Sequence, residues 1–135
     1  MNSILAIIEK GSDGFYSVYI PEIAGLYGTG KTEEEAKENL NEAIEMAVEY
    51  VNETGECSDY KVLMENHTIE YTYDLSSFFQ TYNFFDETAF ANKIGINATL
   101  MHNYKTGIEK ASALQKSKIL DGIHSLANEL HSVRF

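Results

Sequence analysis

Residues 90–107 hold the most specific spacing in the chain. Two short helices that cross closely need a small residue at the crossing, and Ala91 supplies it. They need a residue tolerant of positive φ at the turn, and Gly95 follows four positions later. They need apolar side chains on both helices, here Phe90, Ile94, Ile96, Met101 and Tyr104. A bihelical unit of this kind can lay its second helix in the major groove of DNA. The side chains it would present are Asn97, Ala98, Thr99, His102, Asn103, Lys105 and Thr106. Asn103 can pair with adenine, Thr99 can touch a thymine methyl or a phosphate, and His102 can donate to guanine or phosphate. Lys105, Lys110, Lys116 and Lys118 are candidate phosphate contacts. An ordinary helical hairpin would show the same apolar pattern, and any single lysine can equally be a solvated surface group. Between Lys93 and Lys118, however, five basic residues stand against one acidic residue, Glu109.

Other chemistry finds less support. A two-metal nuclease needs several carboxylates converging on its ions. The expected strands offer only Glu9, Glu70 and Asp74. His124 and His131 are seven residues apart, roughly 10 Å along a helix axis, too far to share one ion. His67 falls in an expected loop, and Cys57 has no second cysteine with which to hold zinc. The run Gly28-Thr29-Gly30-Lys31-Thr32 lacks the first glycine of a phosphate-binding loop and reads better as a glycine turn before a capped helix. No catalytic residue, metal ligand or cofactor is therefore expected.

The elements that would position these residues fall into two groups. Ile4–Glu9 and Phe15–Ile20 read as strands joined by the turn residues 11–14 into a hairpin. Pro21 should end the second strand, since it cannot donate to a ladder. Gly25, Gly28 and Gly30 suggest irregular backbone around a third short strand near Leu26–Thr29. Thr32 to Glu35 forms a capping box, with three glutamates suited to the start of a helix. Ala36, Leu40, Ala43, Ile44, Ala47, Val48 and Val51 then make an apolar stripe at helical spacing. Glu38, Glu42, Glu45, Glu49 and Glu53 fall mostly off it, either as a solvated face or as a surface attractive to a basic partner. Lys61–Met64 reads as a short strand or an irregular lead-in, and residues 68–74 alternate with Ile69, Tyr71 and Tyr73 on one face. The result is a small β-β-β-α-β sheet with one helix against it. One helix covers one face, so the other face and the edges call for another layer or another chain.

From Leu75 the pattern becomes helical: Leu75–Tyr82 with Phe78 and Phe79 as anchors, then Glu87–Ile94 capped by Asp86, then Ala98–Lys105 stopped by Gly107. Ser112 opens a long last helix with Ile119, Ile123, Leu126, Leu130 and Val133 on one stripe. The fold class expected is α+β, with a sheet domain over residues 1–74 and a helix-turn-helix domain over residues 75–135.

Charge divides the same way. The 135 residues sum to a formal charge of −11. Residues 1–85 hold four basic and sixteen acidic groups, a net −12, whereas residues 86–135 hold six and five, a net +1. Such asymmetry suggests two modules with different partners. Sixteen aromatic residues and 44% apolar content argue against disorder. No run approaches the roughly 18–20 apolar residues of a membrane span. Met1-Asn2-Ser3 lacks the basic flank of a signal peptide, and a single cysteine fits a reducing, cytoplasmic compartment.

Residues 90–107 resemble the helix-turn-helix of phage-repressor-like regulators. Nearly end to end, the chain resembles the HicB-like antitoxins of bacterial toxin–antitoxin systems. The residues that carry this likeness are Pro21, Glu22, Ile23, Gly25, Gly30, Thr32, Glu34, Glu35, Ala36 and Ala43. The resemblance implies a partial ribonuclease-H-like N-terminal domain that blocks a small basic, messenger-RNA-cleaving toxin, with Pro21, Glu22, Glu34 and Glu38 on the toxin-binding side. It implies a C-terminal domain, helix-turn-helix or ribbon-helix-helix and here resembling the former, that represses the protein's own operon by binding DNA. A helix-turn-helix usually reads two half-sites through two-fold symmetry, so a homodimer or higher oligomer is expected. The long last helix makes the C-terminal module larger than a minimal one. A stand-alone regulator, its N-terminal domain serving dimerisation or ligand binding, is the alternative.

Overall fold

A computed structural model describes residues 2–135, apart from the side chain of Ser58. Met1, part of the leader reading, lies outside them. The fold is α+β. A four-stranded mixed sheet carries one long helix, and four further helices follow. The chain divides into two compact units, one ending at Phe78 and the other beginning at Phe79.

The first unit is built on β1 (Asn2–Lys10), β2 (Tyr16–Tyr19), β3 (Tyr27–Gly30) and β4 (His67–Tyr73), in the order β3-β2-β1-β4. β1 pairs antiparallel with β2 (Ile8 opposite Val18) and parallel with β4 (Ile4 opposite Ile69). β3 lies antiparallel to β2, with Gly28 opposite Val18. The alternation of β1 sends Ile4, Ala6 and Ile8 to a buried face. Helix α1 (Glu33–Thr54) covers that face with Ala36, Leu40, Ile44 and Ala47, and Val51 is buried one turn further on. Ile20, Ile23 and Leu26 anchor the loop after β2 in the same core, so Pro21, Glu22, Ala24 and Gly25 stay outside.

The structure corrects the reading of two glycines. Gly28 and Gly30 are regular strand residues, and only Gly25 of the three has a left-handed φ, +81°. A Cβ on Gly28 would sit 2.2 Å from the Leu40 nitrogen and 2.3 Å from the Ala36 oxygen. The missing side chains let α1 lie directly on the backbone of β3. The Asn39 amide donates to the Thr29 carbonyl at 2.5 Å across this contact. Thr32 caps α1 by accepting from the Glu35 nitrogen at 3.1 Å. Only this half of the capping box forms, for the Glu35 stem lies beside Gly30 instead. Residues Ser58–Met64 form a 3-10 helix rather than a strand, with Leu63 buried in the core.

Helix α2 (Leu75–Thr81) spans the division between the units. The second unit contains α3 (Glu87–Ile94), α4 (Ala98–Thr106) and α5 (Ala113–His131). Asp86, Asn97 and Ser112 cap their N-termini, and Gly95 and Gly107 end α3 and α4 with φ of 77° and 81°. Phe90, Ala91, Ile96, Met101, Tyr104 and Ile119 are buried. Gly122 brings α5 against α3, where an added Cβ would meet the Ile94 Cγ2 at 2.4 Å. The expected stripe of α5 is buried only in part: Ile123 and Leu126 are half-buried, while Leu130 and Val133 are exposed, Val133 beyond the helix end.

Candidate functional site

The seven residues singled out for DNA reading lie on and around α4, but the structure gives them unequal freedom. The Asn97 Oδ1 accepts from the backbone nitrogens of Thr99 and Leu100 at 2.9 and 3.1 Å, so this acceptor is committed to capping. Ala98 is half-buried. The Thr106 hydroxyl donates back to the His102 and Asn103 carbonyls at 3.0 and 3.3 Å. Thr99 is exposed and Asn103 half-buried, and neither side chain forms a hydrogen bond among the described residues. These two are the polar groups of α4 best placed to reach an external partner.

Sequence reasoning missed Glu87 here. It stands in the first turn of α3, where its charge suits the helix dipole. Its carboxylate lies 2.7 Å from the His102 Nδ1 and 3.8 Å from the Lys105 Nζ. His102 and Lys105 of α4 therefore both face the half-buried Glu87 carboxylate. Of the other lysines, Lys118 donates to the Gly95 carbonyl at 3.0 Å and Lys93 pairs with Glu129 at 3.0 Å. Lys110 and Lys116 are exposed and make no ion pair among the described residues.

In the first unit, Pro21 and Glu22 are exposed on the loop after β2. Glu34 and Glu38 are exposed on α1, four residues apart and so on one face. Helix α1 carries eight glutamates against one lysine, Lys37. That lysine pairs with Glu33 at 2.9 Å and stacks over the Tyr71 ring at 4.5 Å. Burial alone would raise the pKa of Glu33. Hydrogen bonds from the Tyr73 hydroxyl and from Lys37 outweigh it, so the net shift is downward. Sequence reasoning also missed Met46 and Tyr50, exposed apolar residues one turn apart on α1. Their positions off the core stripe were the available signal.

The strand carboxylates do not converge as a metal site would require. Glu9 accepts from the Tyr19 hydroxyl at 3.2 Å, Glu70 from the Ser3 hydroxyl at 3.1 Å, and Asp74 from the Ser77 nitrogen at 3.1 Å. Burial, with Glu9 next, holds the Tyr19 pKa above its ordinary value. Among the described residues no group of three or more His, Cys, Asp or Glu could hold a metal ion, and no helix is long and apolar enough to cross a membrane.

Comparison with known proteins bears on both units. A family model described as "HicB_like antitoxin of bacterial toxin-antitoxin system" matches residues 4–121, from β1 into α5. A UPF0150 protein of Thermoplasma acidophilum is 40% identical over 50 residues, 37% of this chain and 72% of the relative. A UPF0150 protein of Synechocystis is 48% identical over 46 residues, 34% of this chain and 64% of the relative, so less than two thirds of that relative is spanned. No solved structure matches the chain.

Proposed function

Because the chain belongs to the HicB-like antitoxin family of bacterial toxin–antitoxin systems, a non-enzymatic regulatory family, we propose that it neutralises a small messenger-RNA-cleaving toxin with its first unit and represses its own operon with its second. The observation that carries this reading is the family match itself, which runs through both units. The order β3-β2-β1-β4, parallel only at β4 and with one helix before it, supports a partial ribonuclease-H-like first unit. The proposed mechanism is steric. The acidic first unit covers the basic RNA-binding surface of the toxin, and charge attraction speeds their encounter. Pro21, Glu22, Glu34 and Glu38, all exposed, belong to the surface that meets it.

In the second unit α4 acts as the recognition helix. Thr99 and Asn103 read bases, while Asn97, Ala98, His102, Lys105 and Thr106 complete the surface against the groove and the phosphates. The protein binds as a homodimer or higher oligomer, since such helices read paired half-sites. Both proposed partners put it in the cytoplasm.

Two measurements test the reading. The chain should co-purify with a small basic protein encoded in the adjoining frame. Absence of any such complex would favour a stand-alone regulator. The Thr99→Ala/Asn103→Ala double variant should bind the DNA upstream of its own gene at least about tenfold more weakly at fixed salt, given that one good base contact contributes about 1–3 kcal/mol. Unchanged binding would remove α4 as the recognition helix.

A further inference from the structure

We infer that a groove between α1 and the 3-10 helix is the docking site for a large apolar side chain of a small basic protein, an inference that rests on the antitoxin reading above. Met46 and Tyr50 lie off the core stripe of α1, 70% and 45% exposed. With the buried Leu26 and Ala47, and with Ala43 and Tyr60, they line a groove of about 330 Å³. The groove is built rather than incidental. Tyr60 packs edge-on to Tyr50, with ring centres 6.4 Å apart, and the Tyr50 hydroxyl donates to Glu56 at 2.7 Å. Those two contacts fix the Tyr50 ring as a wall. Met46 is the adaptable part, since an unbranched thioether can re-pack around what enters.

Charge identifies the occupant. Glu42 and Glu49 stand one turn either side of Met46, and Glu53 stands one turn beyond Tyr50. None of the three makes an ion pair among the described residues, whereas Glu33 on the same helix is neutralised by Lys37. An apolar slot bordered on its α1 side by three uncompensated glutamates is complementary to an apolar anchor with lysine or arginine beside it. A second copy meeting it through the same face would bring the same glutamates to the same place and be repelled, and so would nucleic acid.

The two parts of the surface should separate kinetically. The probe is the small basic protein encoded in the adjoining frame, and association with the full chain is followed on a biosensor. Met46→Ala/Tyr50→Ala should raise the dissociation rate at least about thirtyfold, as for an interface hot spot. The association rate should stay within about twofold of wild type. Glu42→Gln/Glu49→Gln should instead lower the association rate about tenfold at low ionic strength, and the difference should vanish at high salt. Circular dichroism should match wild type for both; the unfolding midpoint should match for the glutamate variant and fall only slightly for the first, which loses the contacts of Tyr50 with Tyr60 and Glu56. A wild-type dissociation rate in the first variant overturns the groove and leaves the antitoxin reading standing. Failure of the wild-type chain to bind the probe overturns the antitoxin reading, and the groove with it. Conversion of a dimer to a monomer by the first variant, seen by light scattering without the probe, overturns the inference in favour of a second copy.

Discussion

Helices α1 and α5 begin alike and end differently. Both are long, 22 and 19 residues, and both start behind a hydroxyl cap that accepts from the nitrogen three residues on. Both carry an apolar stripe at helical spacing. Yet α1 buries five of its residues and α5 buries one, Ile119. The difference lies in what faces them. α1 lies on a sheet whose nearest strand has glycines where it touches, so most of the stripe finds a surface. α5 is held beside α3 by the close approach at Gly122, its one buried residue is Ile119, and Leu130 extends past that support. A stripe in a helix states what can be buried; the neighbouring element decides how much is.

The largest test of this contrast is Gly28→Ala. The new methyl would overlap the backbone of α1 at both Leu40 and Ala36, and backbone cannot move aside as a side-chain tip can. We expect a loss of more than about 3 kcal/mol, the upper end of overpacking, measured as a fall in the urea midpoint. A variant as stable as wild type would show that α1 does not depend on the bare strand.

The same contrast shows what the sequence could and could not reveal. The start of α1 and its stripe were legible because a cap and a 3.6-residue period are local properties. The hairpin of β1 and β2 was legible for the same reason, through its turn residues. The work of Gly28 was not, because it depends on a helix packed across the sheet, and glycine in a sequence suggests a turn first. The exposed end of α5 was not legible either, since its stripe gives no sign of where its neighbour stops. On α4 the buried positions and Gly95 were anticipated from spacing. The ties of His102 and Lys105 to Glu87 were not, for Glu87 is fifteen residues from His102 in sequence and meets it only once α3 and α4 pack.

Ile119→Ala and Leu130→Ala sharpen the comparison within α5. Ile119 is 1% exposed and Leu130 is 61% exposed. Removing the Ile119 side chain should cost about 2–3 kcal/mol in the second unit. The Leu130 change should stay within about 0.5 kcal/mol in the isolated chain. Similar losses from both would mean that the end of α5 is packed in solution, against another copy or a partner.

The smallest expected effect concerns how the two helices start. α1 is tied to the sheet at its first turn by the Tyr73 hydroxyl, which donates to Glu33 of the helix. α5 has no acidic residue in its first turn to receive such a bond. Glu33 titrates below its ordinary value of 4.5 because the bonds from Tyr73 and Lys37 prevail over burial. A carboxyl with a depressed folded pKa adds stability that is fully present above its unfolded value and is lost as pH falls through the folded one. Tyr73→Phe keeps the ring beside Phe78 and removes only the hydroxyl. The variant should therefore be less stable than wild type near pH 7, and the gap in urea midpoint should close as pH drops through and below 4.5. The Glu33 carboxyl, followed by NMR, should titrate at higher pH in the variant. A gap that persists unchanged into acid would mean that the hydroxyl acts by packing alone, and that α1, like α5, is held at its start by its cap and its stripe.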